Sequence, residues 1–143
     1  TLASWCGLSP GTCSFCETCG GNLVVEHNGD VYVCDHFVYP EYRLGNIATS
    51  SLKDLAGSQQ SVAFGIDKRN SLPAQCRRCE WVRLCHGECP KHRLSITKSG
   101  EAGLNSLCAG LRMYYEHTAP YMKKMRSLLE AEKPAADIMD GAL

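Results

Sequence analysis

Four cysteines stand within CRRCEWVRLCHGEC, Cys76 to Cys89, spaced C-x2-C-x5-C-x3-C. Thiolates are soft metal ligands, and several bunched in one stretch repel one another unless a cation binds them. Earlier in the chain, Cys19 and Cys34 bracket Gly29 in the spacing C-x9-G-x4-C; Cys13 lies six residues before Cys19, and Cys108 follows the second group alone. These eight thiols are enough for two four-thiolate sites. C-x2-C pairs joined by later cysteines make zinc sites. Cysteine runs that hold iron–sulfur clusters look much the same, so spacing alone leaves both open. The third reading is disulfides, since ten cysteines in 143 residues is a density that small secreted domains reach. No signal peptide is visible, so metal-bound thiolates are the stronger expectation.

Elements must deliver these sulfurs. Residues 1–22 hold four Cys and four Gly without any period, which predicts loop. The stretch LVVEHNGDVYVC predicts a hairpin: Leu23–Val25 and Val31–Val33 as strands, Asn28-Gly29 as a two-residue turn at positive φ, and Cys34 at the end of the second strand. RLGNI reads as extended. SSLKDL reads as a short helix, with Ser51 and Asp54 spaced as a capping box and Gly57 as its stop. SQQSVAFGIDKR is a second helical stretch of weak period. KHRLSITKSGEAGLNSL reads as a polar connector. From Leu107 the pattern is helical, with Leu107, Leu111, Tyr114 and Tyr115 on one face, then Met122, Met125, Leu128 and Leu129. Pro120 is expected to kink that helix or restart it after Thr118.

The bulk numbers narrow the class. The length fits one domain with a modest core. Formal net charge is zero, with 15 Lys and Arg against 15 Asp and Glu, which argues against a nucleic-acid binder. No apolar run approaches a membrane span, and a cytoplasmic location is expected. The chain opens on Thr1, as expected of a processed terminus or a piece of a longer protein.

The arrangement C-x9-G-x4-C, gap, C-x2-C-x5-C-x3-C, gap, C resembles the SPASM domain, the C-terminal auxiliary-cluster domain of many radical SAM enzymes. TCGGNLVVEHNGDVYVCDHFVYPEYRLGNI and QCRRCEWVRLCHGECPKHR are most similar to the anaerobic sulfatase-maturating enzymes, and the likeness covers roughly residues 5 to 126. It departs from them in one respect. Cys13, Cys16 and Cys19 are spaced C-x2-C-x2-C, whereas the family's SAM-binding cluster needs C-x3-C-x2-C, and no barrel-length βα pattern is present.

The resemblance implies a small, loop-rich α+β domain over residues 1–130, stapled by clusters, with a hairpin near its N-terminus, a C-terminal helix, and no TIM-type barrel in this chain. Residues 131–143 are expected to be a flexible tail. It implies two auxiliary [4Fe–4S] clusters with crossed ligation: Cys13, Cys19, Cys34 and Cys89 on the first, Cys76, Cys79, Cys85 and Cys108 on the second. Cys6 and Cys16 stand outside both sets. SAM and a third [4Fe–4S] cluster would belong to an N-terminal barrel absent from this chain, and the fragment alone is expected to be inactive. The implied activity is oxidation of a Cys or Ser of a sulfatase polypeptide to formylglycine. Asp35 would be the general base, made more basic by a negatively charged cluster beside it.

Other residues are weighed on their chemistry. Arg77, Arg78, Arg83, Lys91 and Arg93 crowd the second cysteine group, where they would either stabilise a negative cluster or form a solvated basic face. His27, His36, His86 and His92 find no vacancy in all-thiolate sets and are expected at the surface or beside ligands. Trp81, Phe37 and Tyr39 are expected to shield clusters. The rival of another class is a zinc-stapled interaction module, with zinc also able to fill the thiols in air. A further rival is the SPASM domain of another radical SAM peptide maturase.

Overall fold

The computed structural model describes residues 1–141. Strands β1 (Val24–Val25) and β2 (Asp30–Tyr32) pair antiparallel, Val24 opposite Tyr32 and Val25 opposite Val31. The turn is not the two-residue one expected. Only Gly29 in it takes a positive φ, +84°, and the amides of Glu26 and Gly29 donate to Asp30 O and Glu26 O, each at 2.8 Å. Asn28 is occupied otherwise: its Oδ1 accepts from the Asp30 amide at 3.0 Å and its Nδ2 donates to the Asp30 carboxylate at 3.0 Å. That local bonding favours a longer loop with glycine at its left-handed end.

Strand β3 (Arg43–Asn46), the extended RLGNI stretch, completes an antiparallel sheet of order β1-β2-β3. Arg43 donates to Asp30 Oδ1 at 2.5 Å and Asn46 to the same oxygen at 3.0 Å, which holds the Asp30 carboxyl down to about 2. Val31 and Val33 are 0% exposed. Burial of each contributes about 1.5–3 kcal/mol, and it fixes the backbone that ends at Cys34.

Helix α1 (Leu2–Trp5) is one turn capped by Thr1, in a stretch expected to be loop, and it packs on the last helix. Helix α2 (Leu52–Ala56) begins as its capping signal predicts, with the Asp54 amide donating to Ser51 Oγ at 3.1 Å, and Gly57 ends it. Helix α3 (Gln59–Asn70) buries Ser61, Gly65 and Lys68. One-turn helices α4 (Ala74–Arg77) and α5 (Val82–Cys85) carry the cysteine-rich stretch. The expected polar connector instead holds a second hairpin, β4 (Ser95–Ile96) with β5 (Ala102–Leu104). The Gly100 and Thr97 amides close its turn.

Helix α6 (Cys108–Glu130) is continuous through Pro120, so no restart occurs after Thr118. Its inward face is Leu111, Tyr115, Ala119, Met122, Met125 and Leu128 at helical spacing. Leu107, Tyr114 and Leu129, expected on that face, are 60%, 48% and 43% exposed. Ala135–Asp140 form a 3-10 segment beside α6; residues 142–143 of the expected tail lie outside the described residues. No described helix is long and apolar enough to cross a membrane. The described strands form two small sheets and no closed barrel. Among the described residues the buried apolar set is short: Val31, Val33, Leu55, Leu72, Cys89, Tyr115 and Ala119. A core this thin is the circumstance in which bound metal supplies folding energy.

Candidate metal centres

All ten cysteines are free thiols. Cys76 lies in α4, Cys79 just after it, Cys85 at the end of α5 and Cys108 at the start of α6. All four line one cavity of about 290 Å³, with Trp81 and Tyr115 among its walls. Trp81 stacks on Tyr115, centroids 5.7 Å apart, and the Tyr115 hydroxyl donates to Leu84 O at 3.2 Å. The Cys76 thiol is pushed up to about 11, first by burial and then by the nearby Cys108, Cys85 and Cys79 sulfurs. Burial, with neighbours from this set, also raises Cys85 and Cys108.

The other set, expected on the first cluster, gathers from more distant places. Cys13, itself exposed, opens a 3-10 turn, Cys19 follows in the loop, Cys34 ends the hairpin, and Cys89 is 6% exposed. Burial raises the Cys19 thiol, and Cys13 and Cys89 add to it. Cys34 is pushed up to about 11 by burial first, with contributions from the Asp35 carboxyl and from Cys13. Cys89 is raised by burial, then by Glu88 and Cys13. The chain thus brings together Cys13, Cys19, Cys34 and Cys89 in one place and Cys76, Cys79, Cys85 and Cys108 in another.

The loop Cys85–Cys89 hands one sulfur to each place. Its three inner residues are all left-handed: His86 at φ +46°, Gly87 at +71°, Glu88 at +54°. For His86 and Glu88 this costs on the order of 1–3 kcal/mol each.

Helix α3 closes on the N-terminal loop. A Cβ on Gly65 would come within 2.5 Å of Cys19 O, and Gly65 O accepts the Cys19 amide at 3.1 Å. Lys68, 1% exposed, donates to Cys13 O at 2.7 Å and Ser14 O at 2.8 Å. Sequence reading misses Lys68, because the buried face Ser61–Gly65–Lys68 is not apolar and leaves no hydrophobic period.

The other expected residues divide. His36 Nδ1 lies 3.3 Å from Cys89 Sγ, so His36 sits beside that sulfur, while His92 pairs with Glu88 at 2.6 Å. Trp81 faces a thiol cavity as expected, but Phe37 packs on Tyr42 and Phe64, and Tyr39 is 44% exposed under the Lys91 ammonium. The cations split too: Arg77 bonds Leu72 O, Arg78 lines the second cavity, and Arg93 is enclosed by backbone carbonyls. Cys6 and Cys16 lie apart in role. Cys6 faces an open groove with Trp5, and Cys16 Sγ donates weakly to Thr12 O at 3.5 Å.

Asp35 is exposed, and the Cys34 thiol donates to its Oδ1 at 3.2 Å, which holds its carboxyl below the usual value. The expectation of a more basic Asp35 refers to a ligated Cys34. Ligation removes that thiol proton, and a thiolate at the same place repels the carboxylate charge and raises it instead.

The donor sets fit a cluster better than single ions. Four thiolates on one zinc stand about 3.8 Å apart, given a Zn–S distance of about 2.3 Å. Among the described residues, the one group of three or more His, Cys, Asp or Glu ligand atoms within 4.8 Å of one another is Cys34, Asp35 and His36. Neither thiol quartet is drawn in that closely, whereas a cubane places irons and sulfides between its ligands and holds them wider.

Comparison with known proteins agrees. Residues 11–80 match SPASM, an iron-sulfur cluster-binding domain. The chain is 48% identical, over its whole length, to the serine-type anaerobic sulfatase-maturating enzyme of Bacteroides thetaiotaomicron, and covers 36% of that protein. It is 34% identical over 76% of its length to the cysteine-type enzyme of Clostridium perfringens, covering 29% of it. The solved structure of native anSMEcpe with bound AdoMet and Cp18Cys peptide superposes with a TM-score of 0.75 at 29% identity, over 90% of this chain and 35% of that one. The chain therefore spans about a third of these relatives, and it belongs to the SPASM family of iron–sulfur cluster-binding domains, with its likeness running to the sulfatase-maturating enzymes.

Proposed function

We propose that this is the C-terminal domain of a radical SAM sulfatase maturase, an oxidoreductase that converts a Cys or Ser of a sulfatase polypeptide to formylglycine in the cytoplasm. The gathering of eight thiols into two separate quartets carries the reading, and whole-length identity to a serine-type maturase supports it. Cys13, Cys19, Cys34 and Cys89 would hold one [4Fe–4S] cluster; Cys76, Cys79, Cys85 and Cys108 would hold the other. When bound, such clusters supply a place for an electron to go. The N-terminal part of the polypeptide would be the barrel, with SAM and a third cluster.

The residues of this chain have assigned tasks in that scheme. Asp35 would take the proton from the substrate hydroxyl or thiol as the β-carbon is oxidised. SAM in the N-terminal part would supply the hydrogen-atom acceptor, and the auxiliary clusters held by the two quartets would supply an acceptor for the remaining electron. Asp35 is exposed, so an approaching side chain can reach it. Cys34, beside it in the chain, ties the base to the first quartet.

The test is formylglycine formation on a sulfatase peptide by the full-length polypeptide, with serine and cysteine versions compared. Product with intact Asp35, and none with Asp35→Asn at unchanged iron and sulfide, is expected. Full cluster content without formylglycine on either peptide points to a maturase of another substrate.

One observation favours a second reading. The ligand atoms of Cys34, Asp35 and His36 all lie within 4.8 Å of one another, so a single zinc ion would find three donors there, with its fourth position open to water. Protein prepared without oxygen separates the readings: iron and sulfide with absorption near 400 nm support clusters, and colourless protein holding only zinc supports a stapled interaction module.

A further inference from the structure

Arg93 lies between the two thiol quartets. Its Nε donates to Gly87 O at 3.2 Å, and its Nη2 donates to His86 O at 2.8 Å and to Glu88 O at 3.4 Å. These are the three carbonyls of the left-handed turn between Cys85 and Cys89. Its Nη1 donates to Lys68 O at 2.6 Å and Ser71 Oγ at 3.3 Å, which ties the turn to the end of α3. Lys68 in turn holds the Cys13 loop through its ammonium. One guanidinium thus braces the segment that feeds both quartets. Its charge acts on Cys76 and Cys85 of one set and Cys19 and Cys89 of the other.

We propose that Arg93 is a positioning residue shared by both auxiliary clusters, its fork fixing the turn that delivers Cys85 and Cys89 and its charge stabilising the reduced state of both clusters together. The inference rests on the two-cluster reading. The guanidinium keeps its proton when buried. Positive charge near a cluster favours the state with one more electron, so a cation placed between two clusters raises both potentials. Lysine at this place retains the charge but cannot meet three carbonyls with a planar fork.

The experiment is a redox titration followed by electron paramagnetic resonance on the full-length polypeptide. The SAM-binding cluster is recognised by its response to added SAM. Arg93→Met is expected to lower both auxiliary midpoints, the reduction equilibrium of each falling about tenfold, which is about 59 mV for a one-electron couple. Arg93→Lys is expected to recover at least half of that shift at both clusters. Unmoved midpoints in Arg93→Met overturn the proposal, as does a shift at one cluster only or no recovery by lysine. If Arg93→Met loads less iron than wild type, Arg93→Gln against Arg93→Lys carries the same comparison. Wild-type protein that takes up no iron or sulfide defeats the cluster reading itself, a result distinct from clusters whose midpoints ignore Arg93.

Discussion

The two quartets are built in opposite ways. The second is local: Cys76, Cys79 and Cys85 come from two adjoining one-turn helices, Cys108 from the first turn of α6, and Trp81 on Tyr115 walls the cavity. The first is dispersed. It draws Cys13 and Cys19 from an irregular loop, Cys34 from a strand end and Cys89 from the second group's own stretch, with buried Lys68 as the brace. A local site is set by short-range backbone geometry. A dispersed one needs long loops closed, and the entropy of closing them falls on the bound metal.

The largest effect is expected where the two designs share a part. Cys85→Ala should cost the second cluster outright and most of the first as well. Without Cys85 anchored, Arg93 alone is left to hold the turn at His86–Glu88 against the strain of two left-handed non-glycine residues, and Cys89 is drawn away. Cys13→Ala should cost only the first, halving iron and sulfide. Analysis of protein loaded without oxygen checks both; a Cys85→Ala protein that keeps its first cluster would show the turn to be rigid by itself.

The contrast also explains what the sequence disclosed. Spacing between ligands survives without knowledge of side-chain packing, so both cysteine groups were legible, as were the hairpin, the Ser51 cap and α6. Their signals are local: a turn, a cap, a repeat of 3.6. The β4–β5 hairpin was not legible, because its strands are two and three residues long and contain Ser95, Ala102 and Gly103 in place of the usual β-branched run. Lys68 and the bracing role of Arg93 were hidden for a related reason. Each is buried by bonding backbone carbonyls, and carbonyls carry no residue identity. Tyr39 misled in the other direction, since an aromatic in a loop reads as core but here lies open beside Lys91.

A medium effect is expected from pH. In cluster-free protein, Cys34 and Cys76 have pKa values raised from 9.0 to about 11. A raised thiol keeps its proton in the folded state when the unfolded chain has lost it. The stability this contributes is therefore present below pH 9 and lost as pH rises toward 11. Both thiols are half-buried, so the loss is on the order of 1 kcal/mol after screening, a few degrees in Tm. Loaded protein has no such thiols to titrate and should hold its Tm across the same window. The two quartets part again in cause: neighbouring thiols help to raise Cys76, a carboxyl helps to raise Cys34. Asp35→Asn should therefore narrow the loss without touching the share from Cys76.

The smallest effect belongs to the aromatic wall that only the local site possesses. Tyr115→Phe keeps the ring on Trp81 and removes one hydrogen bond, from the hydroxyl to Leu84 O. The carbonyl left behind belongs to α5, one residue before Cys85, and loss of this part-buried hydrogen bond costs about 0.5 kcal/mol. The strain therefore falls on the second quartet, while Cys13, Cys19 and Cys34 sit on elements that Tyr115 does not touch through this bond. Loaded Tyr115→Phe protein should hold the full complement of iron, melt slightly lower, and give up half of its iron to a chelator faster than wild type does. The other half should leave at the wild-type rate. Equal acceleration of both halves would mean that the wall supports the whole domain and that the two sites are less independent than their construction implies.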